Sequence, residues 1–473
     1  MTWPNVMVTR YMSETGQVTP EIDAKARAFV NEGYQLILTF ESTTEPGGFN
    51  WWGNADPGNI VLTAAGMQML ADMSHILEVD RRVIERAHRW MESVQQADGS
   101  WSYQSQTHSD ISNMTKDQVR ATAYAVWSLA DTGYTGAALD RGLQYLEQKI
   151  DAEEDIYTLG LIANALVSAR PRSATVSALL DRLHDERQAE ESLVHWSTTA
   201  GSAVGGHGIN ADVETTGLVS LAMIRAATYP ADAQGAINWL GAQKDSFGQW
   251  GSTQATVLAL RAMIASLGAG AEDADATVSV SVDGERIDTL EIDAFNQDVM
   301  HLVDLRELTG TGRHDIDIGF EGEGGLYYQV VQVHYEPWDA VDPGDDGPLS
   351  VEVRYDTDRV EVDGVVTGSV EVRNTDPALQ DMVMVELGVP PGFDLDRTVL
   401  DRAVADGRLS KYETRPRLLV AYLMGVTPEE PVAFEYRLVA RNPADVEVPR
   451  ARVYSYYNPE IEAFSPPVRM IVE

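Results

Sequence analysis

Over residues 1–268 the sequence reads as helix after helix, and the helices are of two alternating kinds. The segments TAYAVWSLA (122–130), YTLGLIANALVSA (157–169), TTGLVSLAMI (215–224) and TQATVLALRAMIA (253–265) are apolar on nearly every side and rich in small residues. A helix of that kind has to be surrounded by protein, whereas an amphipathic one such as 81–95 buries a single stripe. The alternation therefore predicts antiparallel hairpins arranged in two concentric layers. Helical periodicity places the elements at 59–77, 81–95, 117–129, 136–148, 155–169, 175–187, 213–227, 231–243 and 253–267, with an earlier run starting at Pro20.

A local repeat supports the hairpins. QADGSW (96–101) and QKDSFGQW (243–250) each follow one helix and precede a small-residue-rich one. Such a turn needs a glycine in the left-handed region and gives a large aromatic a place between hairpins.

From Asp275 the periodicity switches to two. ATVSVSVDGERIDTLEI reads as a hairpin turning at Asp283-Gly284, and HDIDIGFEGEGGLYYQVVQVHYE as two further strands. VDPGDDGP (341–348) is a turn-rich acidic linker. From Leu349 onward, LSVEVRYD, VVTGSVEVRN, MVMVELGVP, LLVAYLMGV, VAFEYRLVARN and ARVYSYYNP are strands at sandwich spacing, interrupted by one short helix over 397–406.

Composition excludes several functions. A hydrophobic content of 44% is too high for a disordered chain. The formal net charge of −38, spread along the whole length, would repel nucleic acid and anionic membrane alike. With no cysteine there is no disulfide, thiol nucleophile or thiolate metal site. The nine histidines show no metal-ligand spacing, so neither metal nor cofactor is expected. Residues 1–12 lack the basic and apolar regions of a signal peptide, and no run approaches the roughly 18 apolar residues of a membrane span.

HGINADVETTGLVSL (207–221) draws the most attention, because it sets Asp212 and Glu214 at the expected start of an apolar helix. The residues alone leave two readings open. The acids cap the helix and suit its dipole, or the segment is a reactive loop. The adjacent Trp51 and Trp52 in FNWWGN are read as packing at the end of the helical ring.

Four separated segments, in order, carry a family resemblance. TWPNVMVTRYM with the run that follows it, GNIVLTAAGMQML, FGQWGSTQATVLALRAM and PRARVYSYYNPEIEAF resemble segments of the alpha-2-macroglobulin and complement thioester-protein family. The resemblance implies that 1–268 is an α/α toroid of the terpenoid cyclase-like kind, the thioester domain. It further implies that 272–338 is the second half of a CUB-like β domain, 339–348 a linker and 349–473 a receptor-binding-type β-sandwich.

The departures shape the functional expectation. The family's thioester joins a Cys to a nearby Gln in a motif that should lie just before Met1, and this chain has no Cys to supply it. The bait region and upstream macroglobulin domains are also lacking. The chain is therefore expected to be the C-terminal fragment of a broad-spectrum endopeptidase inhibitor, a protease trap, and not an enzyme. The parent is expected to be extracellular or in the cell envelope and to meet proteases. The fragment's half CUB-like segment should leave strand edges unpaired.

By the same resemblance, Asp212 falls at the family's thioester-modulating position. A carboxylate cannot relay an acyl group as an imidazole does, so a direct, amine-preferring reaction is implied for an intact parent. His207 lies five residues upstream and matches that role poorly. Family members with a cell receptor use lysines on the sandwich's short helix, and RTVLDRAVAD has none; the sandwich is left as a surface for some other protein partner. Two alternatives stay open: a toroidal carbohydrate-active enzyme, which would show two facing carboxylates roughly 5–10 Å apart, and a non-catalytic binding module, which would show a broad apolar patch.

Overall fold

The computed structural model describes every residue except 1, 15–19, 52, 54, 103–116, 203–205, 245–249, 268–274, 294–295, 297–300, 311, 324–327, 329, 333–346, 378, 429 and 457. The chain forms two compact units, one of 1–104, 117–200 and 211–331 and the other of 105–116, 201–210 and 332–473.

The first unit is built on eleven helices among the described residues: α1 (Thr2–Glu14), α2 (Pro20–Leu38), α3 (Ile60–Met73), α4 (Arg81–Ser93), α5 (Gln118–Asp131), α6 (Ala137–Glu147), α7 (Ile156–Ala169), α8 (Ala174–Asp185), α9 (Gly208–Ala226), α10 (Pro230–Ala242) and α11 (Thr253–Leu267). Short polar side chains set several starts. Asn59, Asp80, Asp117, Asp155 and Ser173 each stand one residue before a helix and accept from its first free N–H groups.

The odd-numbered helices form the inner layer, and contacts can be followed around it. The Trp3 indole N–H donates to Asp72 at 2.8 Å, joining α1 to α3. Ser128 Oγ donates to the Ala64 carbonyl across α3 and α5. Arg120 on α5 reaches Thr158 on α7, and Asn164 Nδ2 on α7 donates to the Leu218 carbonyl on α9. Gly217 on α9 lies so close to α11 that a Cβ there would meet Leu258 at 3.0 Å. Finally, the Arg261 guanidinium on α11 stacks on the Trp3 ring, closing the circle. The ring of small-residue-rich helices is the expected α/α toroid.

Aromatic residues plug the joints. Just before each of four inner helices, the backbone N–H of an aromatic residue donates to a threonine hydroxyl on that helix: Phe49 to Thr63, Trp101 to Thr122, Trp196 to Thr216 and Trp250 to Thr256. The three indoles also donate to carbonyls of the preceding outer helix, at Met91, Leu183 and Leu240. Gly99, in the first of the two sequence repeats, holds φ +90°, where a Cβ would strike the Arg141 carbonyl. Sequence spacing reveals only two of these four plugs, because the interval from aromatic to threonine runs from 6 to 21 residues.

Two expectations for this unit are corrected. Residues 188–195 form a small hairpin, β1 (Gln188–Glu190) with β2 (Leu193–His195), that helical periodicity had not separated from its surroundings. Trp51 is 39% exposed, so it does not fill the end of the ring. The buried aromatic there is Phe49, and Trp52 lies outside the described residues.

The unit also contains a three-stranded antiparallel sheet in the order β4 (Glu285–Ile292), β3 (Asp275–Val282), β5 (Ile316–Glu323). The turn is at Asp283-Gly284 as expected, and β4 and β5 are outer strands of the sheet among the described residues. Residues 330–332 are not in a strand, and the rest of the fourth expected strand, like most of the linker, lies outside the described residues.

The second unit is the β-sandwich. One sheet runs β10 (Phe393–Asp396), β13 (Val432–Ala440), β8 (Val365–Asn374), β6 (Leu349–Tyr355). Another runs β11 (Lys411–Arg415), β12 (Leu418–Val426), β9 (Gln380–Gly388), β15 (Arg452–Ser455), β16 (Asn458–Phe464). A three-stranded edge combines β14 (Ala444–Val448), β17 (Val468–Val472) and β7 (Arg359–Val360). Alternation along β8 sends Val366, Val370 and Val372 into a core shared with Val383, Val385, Leu387, Leu419 and Leu423. The short helix α12 (Thr398–Ala405) seals one end through Leu400 and Ala403.

Candidate functional site

The inner helices run in the same direction, so the toroid has two polar ends with different chemistry. At the N-terminal end, Asp155 caps α7. Its Oδ2 accepts from the Thr158 N–H at 2.8 Å, the Thr158 hydroxyl at 2.7 Å and Arg120 Nη2 at 2.8 Å. Its Oδ1 accepts from the Thr198 hydroxyl at 2.6 Å. Thr198, just beyond the β1–β2 hairpin, also donates its backbone N–H to Asp212 Oδ1 at 3.3 Å. One threonine thus bridges two carboxylates.

The two acids are driven apart. Burial pushes Asp155 up, but bonds from Thr158 and Thr198 and the charge of Arg120 outweigh it and hold the carboxyl below its ordinary value. Burial also pushes Asp212 up, and there the Ser197 hydroxyl, the Thr198 N–H and nearby His195 do not compensate, so its pKa stays raised. Environments that separate two neighbouring acids in this way are what a site needs to keep one ionised and the other ready to hold a proton.

Below them lies Glu214, fully buried, accepting from the Tyr157 hydroxyl at 3.2 Å and the Ser252 hydroxyl at 3.4 Å. The Arg120 guanidinium lies 5.2 Å from the centre of the Tyr157 ring. Helix capping by Asp212 and Glu214 is therefore corrected. Helix α9 starts at Gly208, five residues before the expected Val213, and both acids sit inside it. Glu214 serves the interior, and Asp212 faces the segment that follows β2, where it meets Ser197 and Thr198. His207 is exposed and just precedes the helix.

The pH dependence of the pair follows with opposite signs. Asp155, with a lowered folded pKa, contributes stability above the unfolded value of about 3.9, and this is lost as pH falls through the folded value. Asp212, with a raised folded pKa, favours the native state when protonated and loses that contribution as pH rises through its folded value. Asp155→Asn should cost about 2 kcal/mol at neutral pH, with a deficit that shrinks in acid. Asp212→Asn should cost nothing at neutral pH. Denaturant melts of both variants over about pH 3–8 check this; equal losses in both would contradict it.

The C-terminal end is an alternating chain of charges. Arg10 lies 3.6 Å from Asp72, Asp72 takes Arg261 at 2.6 Å, Arg261 reaches Asp131 at 3.4 Å, and Asp131 takes Arg225 at 2.7 Å. Arg261 is buried between the rings of Trp3 and Trp127, 5.4 Å from each ring centre. Burial pushes Asp131 up, but Arg225 and Arg261 outweigh it and hold it low. Beside this chain is a cavity of about 310 Å³ lined by Met7, Arg10, Asp72, Arg225, Arg261, Ile264 and Ala265.

Neither Thr198 and Asp155 nor this charge chain stands out from sequence spacing. The available signal was a lone charge inside an otherwise apolar helix, as with Asp72 in IVLTAAGMQMLADM and Arg261 in TQATVLALRAMIA.

Comparisons with known proteins agree with this architecture. A family model for the A-macroglobulin TED domain matches residues 1–265, and one for the A-macroglobulin receptor binding domain matches 378–466. Thioester-containing protein 1 allele R1 of Anopheles gambiae is 22% identical across 97% of this chain, which spans 33% of that protein's length. Among solved structures, Salmonella alpha-2-macroglobulin reacted with methylamine gives a TM-score of 0.69 at 18% identity, covering 100% of this chain and 29% of the other. Escherichia coli alpha-2-macroglobulin from domain MG7 to the C-terminus gives 0.64 at 15% identity, covering 98% of this chain and 70% of the other.

Proposed function

Because the chain belongs to the A-macroglobulin thioester-protein family, with toroid and receptor-binding models matched in that order, we propose that it is the C-terminal portion of an endopeptidase trap. The ordered match across both ends of the chain carries this reading. In a polypeptide that also carries a protease-cleavable segment, the toroid and sandwich would help to enclose the cut protease. Such a polypeptide would work outside the cytoplasm, at the cell envelope or beyond.

The chain by itself is a non-covalent element, because a Cys–Gln thioester needs a thiol and none of the 473 residues supplies one. Asp212 is the residue we place at the thioester-modulating position. Half-buried, with a raised pKa and held from Thr198, it is suited to giving or taking a proton and cannot carry an acyl group as imidazole does. The carbohydrate-active alternative gains no support from the cavity. Its one lining carboxylate, Asp72, is already bonded to Arg261, whereas glycoside hydrolysis uses two facing carboxyl groups.

The test has two arms. The purified chain should gain no mass on incubation with methylamine, form no covalent adduct with trypsin and leave trypsin fully active on casein. A longer polypeptide bearing this region and a cleavable segment should, once cut, spare cleavage of a small peptide substrate while blocking casein. An adduct on the chain alone would sink the non-covalent reading. Equal loss or equal retention of both activities in the longer form would sink the trap.

A further inference from the structure

We propose that the turn end of the three-stranded sheet is a proton-operated clip, in which protonated His314 pins the β3–β4 turn to the segment entering β5 and neutral His314 releases it. The turn residues Asp283 and Gly284 both take left-handed backbone, at φ +51° and +84°. Asp283 carries the β3–β5 ladder one step beyond the Val282–Ile316 pair. Its N–H donates to the Asp315 carbonyl at 2.8 Å, and its Oδ1 accepts from the Asp315 N–H at 2.9 Å. Its other oxygen, Oδ2, lies 2.8 Å from His314 Nδ1. On the far side of the ring, His314 Nε2 lies 3.1 Å from the Gly310 carbonyl oxygen.

Both ring nitrogens thus face oxygen acceptors. A neutral imidazole has one N–H and one lone pair, so it satisfies one acceptor and turns its lone pair on the other. The imidazolium has two N–H donors and satisfies both. Among the described residues, Asp283 is the one charged side chain that acts on the ring. Asp315, next in the chain, has its carboxylate 3.5 Å from Arg313. The bonds to Asp283 and Gly310 raise the histidine's proton affinity, and the bonds from the Asp315 N–H and His314 hold the Asp283 carboxyl below its ordinary value. The carboxylate therefore stays ionised while the histidine titrates. A raised folded value leaves the clip at full strength below the unfolded value of about 6.5, and that strength is lost as pH rises through the folded value.

The competing account is an ordinary surface ion pair, which contributes little. The Asp283 side chain is indeed 52% exposed, but that of His314 keeps only 22% of its surface. An ordinary pair also lacks the second bond, to the Gly310 carbonyl, which ties the loop before β5 to the same proton. β5 is an outer strand, and β3 is its one strand neighbour among the described residues. Its first residues therefore depend on β3 and on the clip.

A histidine-selective NMR titration of the full chain tests the clip, paired with hydrogen exchange at 316–318 corrected for the intrinsic effect of pH. His314 should titrate above about 6.5, and protection at the start of β5 should fall over the same step. Each unit by which His314 titrates above that value should appear as about a tenfold rise in opening. Asp283→Asn keeps a residue suited to a left-handed turn before glycine and removes the carboxylate, so the titration should move down and the step should shrink. His314→Gln has no charge to lose and should show no step. A wild-type titration at or below about 6.5, no step in wild-type protection, or the same step in His314→Gln would overturn the clip. This outcome is independent of the trap reading, which rests on protease assays.

Discussion

Replacing Arg261 with methionine should lower the stability of the toroid by about 3–5 kcal/mol, the cost of removing one member of a buried ion network. The guanidinium is the only cation that touches both Asp72 and Asp131 among the described residues. Without it, two carboxylates would stay in an interior walled by Trp3, Trp127 and Met7, with Arg10 and Arg225 able to neutralise them only from the edge. The loss should be much smaller in Asp72→Asn/Asp131→Asn/Arg261→Met, because an apolar or neutral replacement of a whole buried network is often close to neutral. Since the chain has two units, the measurement should follow the toroid itself, through hydrogen exchange of α3 and α11. A loss under about 1 kcal/mol in the single variant would mean that this interior is hydrated well enough to carry unpaired charge.

Trp196→Ala should cost about 3–5 kcal/mol, as large buried aromatics do when truncated. The side chain is fully buried, and its indole donates to the Leu183 carbonyl at 2.6 Å while its backbone N–H is held by Thr216. The substitution empties the joint between α8 and α9 and leaves a buried carbonyl without its donor. Trp51→Ala provides the control. That ring is exposed, so its loss should fall within about 0.5 kcal/mol. Denaturant melts that show equal losses for the two would contradict the plug as a structural joint.

Local chemistry made the helices legible. Asn59, Asp117 and Asp155 announce their helices in the sequence and cap them in the structure. The start of α9 was not legible in the same way, because glycines around His207 read as loop, yet Gly208 takes φ +53° at the start of a helix that runs through both acids. A helix start there depends on packing against α7 and α11, which no window of fifteen residues contains. The same reason hid two aromatic plugs: Phe49 and Trp196 find their threonines through space, at intervals of 14 and 20 residues.

By itself, then, the sequence determined the two helical layers, the switch to strands at Asp275, the family and the lack of a thiol, since each follows from periodicity, local motif or composition. Tertiary structure decided which charges meet and which protons are held. Arg261 and Asp72 lie 189 residues apart and become partners only because α11 closes the ring beside α1 and α3. Asp155 and Asp212 are chemically alike in sequence and become opposites in the fold, because an acid's proton affinity is set by its burial and its donors, and those are fixed only when distant helices pack.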